Sequence, residues 1–158
     1  MPIGDVAIGH AGEYPPPVGT NGLATCVGVA WQTADNLWVV GHVDSGSPVR
    51  KPPPNDCANA VAAWVADHAA TCGLAPPIRG STAYLTTASR EYSAPAIIAG
   101  LRQFFGTLSV TVDAPPDSYL AFYIDAAGHC VRVPDFEGVP VPGTVEFSVP
   151  LLDACRSQ

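Results

Sequence analysis

Two side chains in the first third of the chain have the chemistry of a nucleophile and its base. Cys26 offers a thiol and His42 an imidazole. A thiol ionises with a pKa near roughly 8.5, so at neutral pH it needs a partner to take its proton, and histidine serves that role. Thr20 precedes the cysteine by six positions. It could orient the imidazole through its hydroxyl or its backbone carbonyl, as the third member of such a set does. Asp44 is a second candidate for that task, because alternate residues of an extended strand share a face. Each residue also has a plainer reading. Cys26 suits a buried core thiol, His42 a strand-end histidine and Thr20 a loop residue in Gly19-Thr20-Asn21-Gly22.

The elements around these residues read as a hairpin. Residues 24–32 and 37–43 are apolar and bulky, and Gln32-Thr33-Ala34-Asp35-Asn36 between them has turn composition. An antiparallel pair returns the chain to where it began, so residues at similar distances from the turn become neighbours. Cys26 and His42 meet that condition approximately, and the expectation is a thiol and an imidazole within about 4 Å at the open end.

Thr20, Cys26 and His42, set in GTNGLATC and WVVGHVDSG, resemble the Thr, Cys and His of the CheD-type receptor glutamine deamidases. The stretch Ile8-Gly9-His10-Ala11-Gly12-Glu13-Tyr14 is similar to that family's opening strand. The same core occurs in cytotoxic necrotising factor-type toxins. Leu23-Ala24-Thr25-Cys26 stands where the family reads Leu-Gly-Ser-Cys, and Val43-Asp44-Ser45-Gly46 replaces the Met-Leu-Pro after the histidine. The resemblance implies a protein-glutamine deamidase working through a thioester on Cys26, with His42 as base and Thr20 as orienter. It implies no cofactor. The oxyanion would be held by backbone N–H groups of Cys26 and a neighbour in 22–25, with Ala24, Thr25, Asp44 and Ser45 lining the substrate side. The implied fold is α+β: a mixed or antiparallel β-sandwich flanked by two main helices, layered as in CheD. The implied substrate is a glutamine-bearing receptor or a host protein, met in the bacterial cytoplasm or after delivery into a host cell. A non-catalytic binding domain on the same scaffold, or a related cysteine protease or transglutaminase, stays open beside this reading.

The rest of the chain suits that frame. Its 158 residues fit one domain, spanning 1–158 with a divergent extension over 134–158. The net charge is −7, with one lysine, Lys51, against six arginines and no basic run. That lacks the electrostatic footprint of a nucleic-acid binder and argues against an anionic membrane surface as partner. Scarce lysine fits a GC-rich genome, and also a protein exposed to ubiquitination in a host. No signal peptide or apolar run of spanning length is visible, so no membrane insertion is expected, and the chain is read as a monomer. His10, His42, His68 and His129 lack ligand spacing, so no metal is expected.

The five cysteines, Cys26, Cys57, Cys72, Cys130 and Cys155, show no CxxC and no framework. Cys57 and Cys72 mark opposite ends of one helix, about 22 Å apart, and cannot pair. A reducing compartment is the default. Asn55 or Asp56 caps that helix, whose apolar stripe is Cys57, Val61, Trp64, Val65, His68 and Cys72, with His68 read as packed rather than catalytic. A second helix runs from Ser93 to about Phe105. Strands are expected over 3–8 (an edge), 81–87, 108–112, 119–124, 129–133 and 144–149. Residues 14–17 should run along the surface to Thr20. Residues 44–48 and 50–54 should form a loop beside the reactive centre.

Overall fold

In the computed structural model, residues 2–45, 55–87, 93–113 and 119–156 are described. The hairpin at the centre is β4 (Val27–Ala34) paired antiparallel with β5 (Leu37–Ser45), joined across Asp35 and Asn36. Both strands differ from their expected bounds: β4 begins three residues later, and β5 runs on to include Asp44 and Ser45. The remaining expected loop, 46–54, lies outside the described residues. The other strands are β1 (Ile3–Asp5), β2 (His10–Tyr14), β3 (Val18–Thr20), β6 (Thr82–Thr87), β7 (Ser109–Asp113), β8 (Ala121–Ile124), β9 (Cys130–Val133), β10 (Gly138–Pro140), β11 (Val145–Glu146) and β12 (Ser148–Val149). Two helices, α1 (Asn55–Thr71) and α2 (Ser93–Phe105), and a short 3-10 turn at Asp153–Cys155 complete the fold.

These strands form two mixed sheets, so the class is α+β. The smaller has the order β10-β1-β3-β8-β9, with β1 parallel to both its neighbours. The larger has the order β11-β2-β5-β4-β6-β7, with β12 added parallel to the end of β5. Strand β1 is therefore interior to its sheet and not an edge. Of residues 14–17, expected to run along the surface to Thr20, Pro16 is buried, and the chain reaches Thr20 through the buried strand β3.

The larger sheet is covered on both faces. Val27, Val29, Trp31, Val39, Val43 and Leu85 pack against α1 and α2 in one core, where the Trp31 and Phe104 rings meet at 5.2 Å with a tilt of 55°. The alternate residues Cys26, Ala30, Trp38 and Val40 pack against Val18, Phe122 and Ile124 of the smaller sheet in a second core. A strand buried on both faces reads as a continuous apolar run, which is why Val27–Trp31 shows no polar alternation. His42 and Asp44 share the parity of Trp38 and Val40, so they point into the layer between the sheets.

The tail from residue 134 is woven into both sheets. Strand β10 pairs with β1, β11 with β2, and β12 with β5, while the Phe147 side chain is fully buried. The expected single strand over 144–149 is split at Phe147, where the chain steps from β2 to β5. The Asn21 amide grips the tail: Nδ2 donates to the Phe136 carbonyl at 3.0 Å, and Oδ1 accepts from the Phe136 N–H at 3.0 Å. A disulfide joins Cys57, at the start of α1, to Cys155. The irregular cysteine spacing carried no sign of this pairing, because the partners are 98 positions apart and only the packed tail brings them together. Cys26, Cys72 and Cys130 are outside any disulfide.

A bridge closing so long a loop restricts the unfolded chain, a contribution of about 4.7 kcal/mol on the loop-entropy account. Dithiothreitol should therefore lower the Tm by many degrees, and should have no such effect on a Cys57→Ala/Cys155→Ala protein. Calorimetry checks this; equal Tm values for the wild type with and without reductant would show that the bridge does not stabilise the fold.

Candidate active site

The site lies in the layer between the sheets. In the β4–β5 register Gly28 faces His42 and Val27 faces Val43, so Cys26, one step further out, comes opposite Asp44. Strand β6 extends the row, with Thr86 beside Gly28. The smaller sheet presents a matching row, since Thr20 pairs with Phe122 and Phe122 with Arg132. The two rows meet member by member. The Thr20 hydroxyl touches His42, the Phe122 ring lies over Gly28, and the Arg132 guanidinium donates to the Thr86 hydroxyl. Gly28 is required for this fit: a Cβ there would come within 2.5 Å of the Phe122 ring. Glycine inside an apolar strand is the one sequence signal of such a close approach.

The Thr20–His42 contact runs through the threonine side chain. Oγ1 lies 2.7 Å from His42 Nδ1 and 2.7 Å from the Val6 carbonyl oxygen. A hydroxyl has one hydrogen, and a carbonyl can only accept. The hydroxyl therefore donates to Val6, and Nδ1–H donates to the hydroxyl. The neutral ring consequently carries its lone pair on Nε2, as a general base requires. Nε2 is buried and has no hydrogen-bond partner, although buried polar atoms are nearly always paired. Thr20 thus meets His42 through its side chain, and is the last residue of a buried strand rather than a loop threonine.

Burial pushes the His42 pKa down from 6.5 to about 4, opposed by the negative charge of Asp44. At neutral pH the ring is therefore an uncharged base and not the cation of a standing ion pair. Below pH 6.5 the unfolded chain takes up a proton that the folded chain refuses. The associated stability is present above pH 6.5 and is lost as the pH falls toward 4, by about 3 kcal/mol in all. Urea unfolding at a series of pH values should show this part of the loss in the wild type and not in His42→Gln. Parallel pH curves for the two proteins would refute it.

The thiol makes no hydrogen bond to the imidazole, whose Nε2 has no hydrogen-bond partner. Cys26 Sγ instead donates to Asp44 Oδ1 at 3.6 Å, and the Thr25 hydroxyl lies 4.0 Å from the sulfur. The thiol is almost fully buried, at 4 % exposure, beneath exposed Ala24 and Thr25. The Cys26 carbonyl accepts from the Thr87 hydroxyl at 3.1 Å. Among the expected oxyanion donors, the Leu23 N–H is committed to the Leu120 carbonyl at 2.8 Å. Asp44 cannot serve an oxyanion, since its own charge repels one. Ser45 closes β5 opposite Val149, and its side chain lies outside the described residues.

His68 is a packing residue, stacked at 4.6 Å on Trp64 and bonded through Nε2 to the Glu146 carbonyl at 2.6 Å. Among the described residues no group of three or more His, Cys, Asp or Glu is placed to hold a metal, and no helix is long and apolar enough to cross a membrane. A cavity of about 440 Å3 opens at the other end of β6 and β7, lined by Arg79, Ser81 and Phe105 among others, and shares no residue with the site.

Sequence reasoning missed Val6, Phe122, Thr86 and Arg132. Phe122, Thr86 and Arg132 reach the site from distant strands and Val6 from the residue after β1, and of the two rows only Gly28 leaves a local mark. No protein-family model matches this chain, and no curated protein matches its sequence.

Proposed function

We propose that the protein is a cysteine-dependent protein-glutamine deamidase, with Cys26 as nucleophile, His42 as general base and Thr20 as the residue that orients the base. The observation that carries this reading is the Val6–Thr20–His42 chain, which leaves an unengaged Nε2 lone pair on the face that His42 shares with Cys26.

The reaction follows from the protonation states. Cys26 turns from Asp44 toward His42 as the substrate carboxamide enters. Nε2 takes the thiol proton while sulfur bonds to the carboxamide carbon. The Nε2 proton passes to the leaving nitrogen, the C–N bond breaks, and ammonia departs to leave a thioester. A water then attacks that carbon, giving its proton to Nε2. The C–S bond breaks, the sulfur recovers the proton, and a glutamate side chain is released. Because His42 is uncharged at rest, proton transfer accompanies attack instead of preceding it.

A role outside a reducing cytoplasm is supported by the Cys57–Cys155 bridge, since disulfides persist in oxidising compartments. This favours a delivered effector acting on a host protein over a cytoplasmic enzyme. A non-catalytic binding domain is the second reading, supported by the burial of Cys26 and by its resting bond to Asp44. Incubating the wild type and Cys26→Ala with bacterial and host proteomes, followed by mass spectrometry, separates the two. The deamidase reading expects particular glutamines converted to glutamate by the wild type alone; equal conversion by both proteins would favour the binding domain.

A further inference from the structure

We propose that Asp44 receives the substrate's amide nitrogen, and that the arriving NH2 group releases the Cys26 thiol by taking its place on the carboxylate. The inference rests on the deamidase reading for its catalytic meaning, but the recognition it describes stands on the geometry of Asp44 and Cys26.

Asp44 sits at the end of β5, half-buried, directly beyond the reactive histidine. Its backbone is fixed by the Phe147 carbonyl, which accepts the Asp44 N–H at 3.4 Å, and by the parallel pairing with Ser148 of β12. Gly9 lies beside it, since a Cβ added to Gly9 would come 3.8 Å from the Asp44 Cβ. Its Oδ1 accepts the thiol hydrogen of Cys26. Among the described residues the salt bridges join His129 to Asp125 and Arg156 to Asp153, and none involves Asp44. A carboxylate is only an acceptor, and its preferred guest is a group with hydrogens to give.

A primary carboxamide carries two such hydrogens on nitrogen and an acceptor oxygen. Its NH2 can bond to Asp44 while its carbon lies over the sulfur. A carboxylate of the same shape has no hydrogen to give, and like charges repel it. The same contact therefore selects amide over acid on entry and expels the acid product. A thiol is a weak donor, so the amide displaces it readily. The freed Cys26 side chain then has Nε2 of His42 as its nearest base on the same face.

Iodoacetamide and iodoacetate test this directly, being nearly equal in size and differing as amide and acid. Each alkylates a thiol by the same step, in which the S–C bond forms, the C–I bond breaks and iodide leaves. The readout is the ratio of the two rate constants at Cys26, divided by the same ratio at Cys72, measured by peptide mass spectrometry. In the wild type this quotient should exceed one by about tenfold or more, the scale of a charge-assisted hydrogen bond gained and a like-charge contact avoided. In Asp44→Asn it should fall to near one, and in Asp44→Glu it should largely return.

A wild-type quotient near one overturns the proposal without need of any variant. A quotient unchanged in folded Asp44→Asn overturns it as well. Failure of the deamidase reading is distinguishable. If Cys26→Ala leaves glutamine conversion intact, catalysis is lost as an explanation while the amide preference at Asp44 can still be measured.

Discussion

On a glutamine substrate identified by the proteome comparison, Cys26→Ala is expected to release no ammonia, and His42→Gln to lose roughly 10²- to 10⁴-fold in rate. Glutamine matches the volume of histidine closely and can still donate to the Thr20 hydroxyl, so the fold should survive. What it lacks is the Nε2 lone pair that takes the thiol proton. The threonine variants separate orientation from chemistry. Thr20→Ser keeps the hydroxyl that joins Val6 to His42 and should stay within a few-fold of the wild type. Thr20→Val fills the same volume but strands the Nδ1 hydrogen and the Val6 carbonyl in a buried layer. The imidazole then loses both its fixed tautomer and its fixed orientation. The expected loss is about tenfold to a hundredfold in rate, or roughly 1.4 to 2.8 kcal/mol of barrier. Stability should fall too, by about 1–3 kcal/mol for each buried group left unpaired. Ammonia release and circular dichroism check both effects. Full activity in folded His42→Gln would refute the mechanism, and full activity in Thr20→Val would remove threonine from it.

The second large effect is on the fold, at Gly19. A Cβ there would lie 2.0 Å from the Phe122 carbonyl oxygen and 2.6 Å from Tyr123 Cα, both in the backbone of the paired strand β8. No side-chain rotation relieves a clash with backbone. Either β3 must leave β8, or the residue must twist Thr20 away from His42. Gly19→Ala should therefore cost roughly 3 kcal/mol or more, at the upper end for overpacking. Gly80→Ala is the comparison: its φ is 83° but a Cβ meets nothing within 4 Å, so only backbone strain is paid, about 1 kcal/mol. Urea unfolding of the two variants should show the difference. Equal losses would mean that β3 and β8 have room to separate, and that the rows across the sheets are less closely matched than their distances indicate.

Much of the architecture around the site was legible in the chain. The two apolar runs around Asp35-Asn36 specify the hairpin, because bulky residues flanking a turn can bury themselves only by pairing. The 3.6-residue stripe from Cys57 to Cys72 specifies α1, and Ser93 the start of α2. Alternation placed His42 and Asp44 on one face, and similar distances from the turn brought Cys26 to the same end of the hairpin. Those are local properties, and local sequence determines them.

Which face that would be, and what would lie on it, was decided by packing. The covering of the larger sheet by helices on one side and by the smaller sheet on the other cannot be read from Val27–Trp31, whose side chains are apolar in both directions. The contact of Thr20 with His42 depends on β3 pairing with β1 and with β8, the latter about a hundred residues away in the chain. The choice of hydroxyl over carbonyl depends on Val6 as a competing acceptor, a carbonyl that every residue type carries. The partnership of Cys57 with Cys155 depends on a tail that closes over α1. The resting bond of the thiol to Asp44, in place of His42, depends on how far past Val27 the hairpin register runs. Sequence named the candidate side chains because their chemistry belongs to residue type; tertiary structure chose their partners because proximity across sheets does not.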